Sequence, residues 1–179
     1  MNSQRAMIVV DMQRGFLEEG HPLFCGKEAR RVIEPIKRLI ERERARGSAI
    51  FFTADTHTPD DPEFKIFPPH CLRGSVEAQI IPELQPYLKS SALIEKRRYS
   101  AFFGTDLDKR LKGIGAEELI VCGVCTDICV LHTVADARNR DYSVEVPESC
   151  VASFDPEGHA FALKHMERVL GAHILREEI

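Results

Sequence analysis

The stretch ELIVCGVCTDICVLHTVADARNR, residues 118–140, changes character in its middle. Residues 118–124 form an almost unbroken apolar run, the pattern of a strand covered on both faces rather than on one. Thr126 to Arg140 then reads as a helix, with Thr126 placed to act as its N-cap. A doubly covered strand that feeds straight into a helix is the repeating unit of a parallel α/β sheet.

The rest of the chain repeats that unit. Further short apolar runs stand at 6–10 (AMIVV), 49–53 (AIFFT), 92–95 (ALIE), 143–146 (SVEV) and 173–175 (HIL). Between them lie helical patterns. Val32, Ile33, Ile36, Leu39 and Ile40 recur at helical spacing, and Gly47 is placed to end that helix. Pro35 is awkward within it and argues for a start or a kink nearby. Residues 106–112 and 156–169 are further helices, the latter with Asp155 as N-cap and Pro156 in the first position. The expectation is a three-layer α/β/α sandwich, with a mostly parallel, Rossmann-like sheet of about six strands in a single domain spanning residues 1–179. One segment breaks the rhythm: THTPDDPEFKIFPPHCLRGS, residues 56–75, is rich in proline and polar groups, and long loops inside compact domains tend to carry function.

Composition removes several classes of function. The 179 residues carry a formal net charge of −4, so there is no basic footprint for nucleic acid or for an anionic membrane. RRVIEPIKRLIERERARG looks basic but alternates in sign, as a solvated helix face does. The first apolar run is too short for an export signal or a membrane span. Six cysteines in a chain of this length are not a disulfide scaffold, which together points to reduced thiols in the cytoplasm.

Parallel sheets bind ligands beyond the carboxyl ends of their strands. Four polar clusters fall there: Asp11, then Asp55 with His57, then Lys96, then Cys125 to Cys129. Cys129 lies in the first turn of its helix, where the dipole, helped by Lys96, favours a thiolate, and Asp11 is a candidate partner for its proton. Spacing alone equally allows a small buried core residue. Cys122 lies inside the strand and reads as core, although a Cys122–Cys125 redox pair is open; the spacing C-x2-C-x3-C is not a usual metal-cluster run. Asp55, His57, Glu63 and His70 offer two imidazoles and two carboxylates, a donor set for a borderline divalent ion, whereas Asp60 and Asp61 read as solvated loop polars. His21, His132, His159, His165 and His173 read as surface or core, with His132 a second candidate base.

As a set, VVDMQRGF, TADTH, PPHCLRGS, EKRRYSAFFGTDLD and GVCTDICVLHTVADA resemble the nicotinamidase branch of the cysteine-hydrolase superfamily that also contains isochorismatases. The resemblance spans essentially the whole chain. It implies a catalytic triad of Cys129, Asp11 and Lys96. It implies a metal site of Asp55, His57 and His70, with Glu63 where other members carry a histidine or an acid, for one divalent ion: Zn2+ first, with Mn2+ or Fe2+ as alternatives. It further implies a cis peptide at Val124–Cys125, an oxyanion hole from the amides of Cys125 and Cys129, and a ring pocket of Phe16, Phe67 and Tyr99. The implied reaction hydrolyses the small aromatic amide nicotinamide, with the metal anchoring the pyridine nitrogen, and the implied assembly is a homo-oligomer. Two competing readings are a relative that hydrolyses another small amide or carbamoyl compound, and a non-catalytic metal or thiol-redox protein.

Overall fold

In the computed structural model, which describes residues 4–177 and 179, seven strands form one parallel sheet. They are β1 (Gln4–Val10), β2 (Ala49–Asp55), β3 (Ala92–Lys96), β4 (Ala116–Val124), β5 (Ser143–Pro147), β6 (Val151–Ala152) and β7 (His173–Leu175). The order is β3-β2-β1-β4-β5-β7, and β6 extends the pairing of β4 beyond β5. The chain first builds outward from β1 on one side, then returns to β4 and builds outward on the other. The switch point between β1 and β4 is where such sheets open a crevice.

The six expected strands are all present; β6, two residues long, was too short to leave a hydrophobic signature. Asp55 and Lys96, expected just past the ends of their strands, prove to be the last residues of them.

The continuous apolar runs have a direct cause. In β1, Ala6, Ile8 and Val10 enter one core while Met7 and Val9 enter the other. In β4, Leu119 and Val121 face the first core, and Ile120, Cys122 and Val124 the second. Alternate residues thus meet different helical layers and none meets water. Helix α1 (Arg14–Leu17) is a single turn after β1; α2 (Ile33–Ala45) covers the second core with Ile36, Leu39 and Ile40. Each of those side chains, fully buried, contributes roughly 1.5–3 kcal/mol. A short 3-10 segment precedes α2, so Pro35 falls in the first α-helical turn, where a missing N–H costs little. Helix α3 (Gln85–Leu88) is another short turn. On the opposite face, α4 (Leu107–Gly113), α5 (Leu131–Arg138) and α6 (Pro156–Arg168) cover the first core through Leu107, Leu111, Val134, Ala137, Ala162 and Met166.

The helix expected over 126–140 divides. Thr126–Val130 is a wider π-helical turn and only then does α5 begin. Thr126 caps nothing with its side chain; its hydroxyl instead meets His159 Nδ1 at 2.8 Å. Asp155 does cap α6, accepting from the Glu157 amide at 3.0 Å.

At the switch point Val10 of β1 pairs with Gly123 of β4. Gly123 has φ +113°, and a Cβ there would lie 2.0 Å from the Val10 carbonyl oxygen. Nothing flexible can yield, since the obstacle is main chain of the central strand. Gly123→Ala should therefore cost about 3 kcal/mol or more. Chemical denaturation checks this, and a variant as stable as the parent would show that β1 and β4 can separate.

Candidate active site

Three adjacent strands deliver three charged side chains to one point. Asp11 follows β1, Asp55 ends β2 and Lys96 ends β3, and all three are buried. Lys96 Nζ lies 2.7 Å from Asp11 Oδ2 and 2.5 Å from Asp55 Oδ1. The turn after β4 brings Cys129 to the same place, with its sulfur 3.7 Å from Lys96 Nζ. A carboxylate oxygen of Asp11, one of Asp55 and the Cys129 sulfur lie within 4.8 Å of one another.

Burial pushes the Lys96 ammonium down, but Asp11, Asp55 and Cys129 more than offset it, and its pKa stands well above the ordinary value. The two carboxylates diverge. Burial dominates at Asp11 and raises its pKa from 3.8 to about 6 despite Lys96. At Asp55 burial is outweighed by Lys96 and His57, and the pKa falls. The expected low-pKa thiolate is not what this pocket makes. Burial pushes the Cys129 thiol well above its usual pKa, and Lys96 only partly counters it. The sulfur is buried within a π-helical turn, and the negative charges of Asp11 and Asp55 add to the effect of burial.

The supports around these groups left weak signals in sequence. Thr53, two residues before Asp55 on β2, accepts from the Asp11 amide at 3.1 Å and donates to Asp11 Oδ1 at 2.5 Å. Asp11 itself has φ 49°, a left-handed conformation an aspartate tolerates. Gln13 clamps the backbone of Asp55 from both sides: its Nε2 donates to the Asp55 carbonyl at 2.9 Å, and its Oε1 accepts from the Asp55 amide at 2.8 Å.

Asp55, His57 and His70 present ligand atoms within 4.8 Å of one another. Each imidazole is held by its other nitrogen, His57 Nδ1 at 3.1 Å from Asp61 Oδ2 and His70 Nδ1 at 2.8 Å from the Pro68 carbonyl. Both Nε2 atoms thereby face Asp55 Oδ2, at 3.8 and 4.0 Å. His57 Nε2 is buried without a hydrogen-bond partner. Orphaned nitrogen facing carboxylate, with the outer nitrogen fixed, is the arrangement of a metal ligand set. Glu63 is buried beside it, with Oε1 3.8 Å from His70 Nε2, and burial and the Asp55 charge raise its pKa. The residues therefore fit a divalent cation.

Asp61 corrects the sequence reading. It is not a solvated loop residue but is buried, accepting from the Glu63 amide at 3.0 Å and from Arg98 at 2.8 Å as well as pairing with His57. These contacts hold its pKa at about 2 against the opposing effect of burial. Asp60, its neighbour, is exposed as expected.

Asp55, Glu63, His70 and Cys129 floor a cleft above this cluster. Phe16, Phe67 and Tyr99 line it, and so do Leu23, Ile128 and Phe154, which periodicity could not single out. Cys125 lines it too, joined to Val124 by a cis peptide bond, with its sulfur 3.2 Å from that of Cys25. Cys122 is fully buried in the strand, its thiol 3.7 Å from the Ile8 carbonyl, so it is core and not the partner of Cys125. His132 is exposed, with Nδ1 2.7 Å from the Ile128 carbonyl of its own turn, and stands aside from the cluster.

The family and fold can be set beside known proteins. The isochorismatase domain model matches residues 5–178. The crystal structure of nicotinamidase PncA from Bacillus subtilis is 37% identical, with a TM-score of 0.91 over 97% of this chain and 99% of that one. An N-carbamoylsarcosine amidase from Thermoplasma acidophilum is 35% identical, with a TM-score of 0.87 and 98% of both chains covered. A pyrazinamidase of Pyrococcus horikoshii in complex with zinc is 30% identical, with a TM-score of 0.88 over 97% of this chain and 99% of that one. With seven strands in this order and a family match over nearly its whole length, the chain belongs to the isochorismatase family of hydrolases and stands close to its nicotinamidases.

Proposed function

We propose that this protein is a metal-dependent cysteine amidohydrolase that converts nicotinamide to nicotinate and ammonia through a thioester. The observation that carries the reading is the joining of Asp11, Lys96 and Cys129 in one buried cluster beneath an aromatic cleft. Likeness to nicotinamidases supports the substrate.

In this reading Cys129 rests as a thiol. Asp11, with a pKa of about 6, is ionised at neutral pH and takes the proton as sulfur attacks the carboxamide carbon. The C–S bond forms, and the carbonyl π electrons move to oxygen, opposite the amides of Cys125 and Cys129. The tetrahedral centre collapses, the C–N bond breaks, and Asp11 hands its proton to the departing ammonia. Asp11 next accepts a proton from water as that water attacks the thioester. The sulfur leaves and is reprotonated. Lys96 keeps its charge throughout and steadies Asp11 in both states.

Asp55, His57 and His70, joined by Glu63, would hold a divalent ion, zinc first, which when bound supplies a Lewis acid for the ring nitrogen of the substrate. Phe16, Phe67 and Tyr99 would flank the ring and turn its carboxamide toward Cys129. We place the enzyme in the cytoplasm, where its six cysteines stay free. The likeness to N-carbamoylsarcosine amidase carries a second reading, hydrolysis of a carbamoyl compound. The aromatic walls favour the pyridine amide.

Ammonia release from a panel of aromatic amides and carbamoyl compounds decides between the two, with nicotinamide expected to be the best substrate. Cys129→Ala should lower turnover on the order of a thousandfold or more, with its circular dichroism spectrum unchanged. Substantial residual activity would remove Cys129 as nucleophile.

The acid limb of kcat/KM is set by Asp11. A carboxylate whose pKa is raised to about 6 loses its basic form as pH falls through that value, so activity should drop below pH 6 and level off above it. A profile flat down to pH 4.5 excludes Asp11 as the base.

Asp61→Asn should weaken zinc binding roughly 10–100-fold by freeing the His57 ring, and Glu63→Ala should also lower metal content, whereas Asp60→Ala should change nothing. Competition titration against a chromophoric chelator measures all three. Parental affinity in Asp61→Asn would mean that His57 is fixed by other contacts.

A further inference from the structure

Two buried thiols take no part in the chemistry above. Cys25 Sγ and Cys125 Sγ stand 3.2 Å apart, one hundred residues apart in sequence. The Cys25 sulfur also lies 3.7 Å from the Leu23 carbonyl. Cys125 is among the residues that line the cleft, whereas Cys25 is buried and is not.

We propose that Cys25 and Cys125 are an oxidisable pair, which a peroxide or another two-electron thiol oxidant joins in a disulfide beneath the cleft, switching the enzyme off reversibly. The link itself is independent of the hydrolase reading; only its inhibitory effect rests on that reading.

The chemistry needs little movement. A disulfide requires the sulfurs to close from 3.2 Å to about 2.05 Å. With a peroxide, the Cys125 sulfur attacks one oxygen, the O–O bond breaks, and a sulfenic acid and water result. The Cys25 sulfur then attacks the Cys125 sulfur, the S–O bond breaks, and the second water leaves with the remaining thiol proton. Two thiols lose two electrons and two protons, and one peroxide becomes two waters. The contact with Cys25, then burial, hold the Cys125 thiol well above its usual pKa. Oxidation is accordingly slow compared with that of an exposed thiolate, and the pair answers sustained rather than passing oxidant.

The inhibitory consequence follows from what each cysteine holds. The Cys125 carbonyl accepts from the amides of Ile128 and Val130, each at 3.1 Å, and so fixes the turn that carries Cys129. The Cys25 amide donates to the Phe16 carbonyl at 2.8 Å, next to an aromatic wall of the cleft. Drawing the sulfurs together pulls one anchor against the other across the site. Cytoplasmic disulfides are characteristically of this transient kind.

The test oxidises the full chain with diamide, which makes disulfides by taking up two hydrogens. Alkylation, digestion without reduction and mass analysis follow. A Cys25 peptide linked to a Cys125 peptide is expected in the parent protein and equally in Cys129→Ser, and its absence overturns the proposal. Cys25→Ser, or Cys25→Ala should the serine variant fail to fold, is expected to match the parent's activity before oxidation. After oxidation the parent should lose about tenfold or more of its activity and regain it with dithiothreitol, while the Cys25 variant keeps most of its own. A link that leaves the parent's activity intact, or a Cys25 variant inactivated as fast as the parent, overturns the switch. If no amide is hydrolysed by any form, the linked peptide still decides the pair, and the failure belongs to the proposed activity instead.

Discussion

One ammonium, Lys96 Nζ, holds the site together. It is fully buried, and it lies within 2.7 Å of carboxylate oxygens from both Asp11 and Asp55. Two carboxylates cannot share a dry pocket at close range unless a cation sits between them or one takes a proton. Here both devices operate. Lys96 compensates the pair, and the residual imbalance falls on Asp11, whose pKa rises to about 6 while that of Asp55 falls. Two chemically identical groups are thereby set apart in acidity. The one that titrates near neutrality suits proton transfer, and the permanent anion suits a cation. Lys96 is the joint between the thiol cluster and the histidine cluster, which are otherwise built from separate parts of the chain.

The sheet makes that joint possible. Strands β1, β2 and β3 are neighbours in parallel register, so residues at their carboxyl ends lie side by side without any loop having to fold back. The fourth contributor comes from β4, which pairs with β1 on its other side as far as Val10 and Gly123, so the turn after β4 opens beside Asp11. Thr53 and Gln13 then remove the remaining freedom of Asp11 and Asp55 through backbone hydrogen bonds. Precision at the charges is inherited from main-chain geometry, which is why side chains that never meet substrate matter to it.

Much of this was legible in the sequence, for identifiable reasons. Strands covered on both faces announce themselves as unbroken apolar runs, and polar residues at their carboxyl ends stand out against them. That logic located Asp11, Asp55, Lys96 and Cys129. It could not reach β6, whose two residues carry no period, or Thr53, which looks like any strand threonine. It failed on Asp61 because burial of a loop carboxylate depends on where the loop folds. Asp60 and Asp61 are adjacent and identical in type, yet one is solvated and the other is gripped by His57, Arg98 and a backbone amide. The state of the Cys129 thiol was misjudged for a related reason. A helix dipole is a local property of sequence, whereas desolvation is a property of the finished fold, and at Cys129 burial raises the thiol pKa despite Lys96.

The three cysteines between residues 122 and 129 show how a few residues of spacing separate fates. Cys122 lies within β4, where the pleat sends alternate side chains into opposite cores, and it is sealed with Ile120 and Val124 in the second of them. Cys125 stands just past the strand, where its carbonyl anchors the turn and its sulfur drops onto Cys25. Cys129 is carried four residues further round by the π-helical turn and joins the opposite core beside Lys96. The same thiol is thus packing material in a pleated strand, a contact between segments at the strand's end, and a group held against charge within the turn. What distinguishes them is the backbone conformation at each position and the charge that conformation brings within reach. No property of cysteine itself sorts them, which is why their spacing left packing, redox and nucleophilic roles open together.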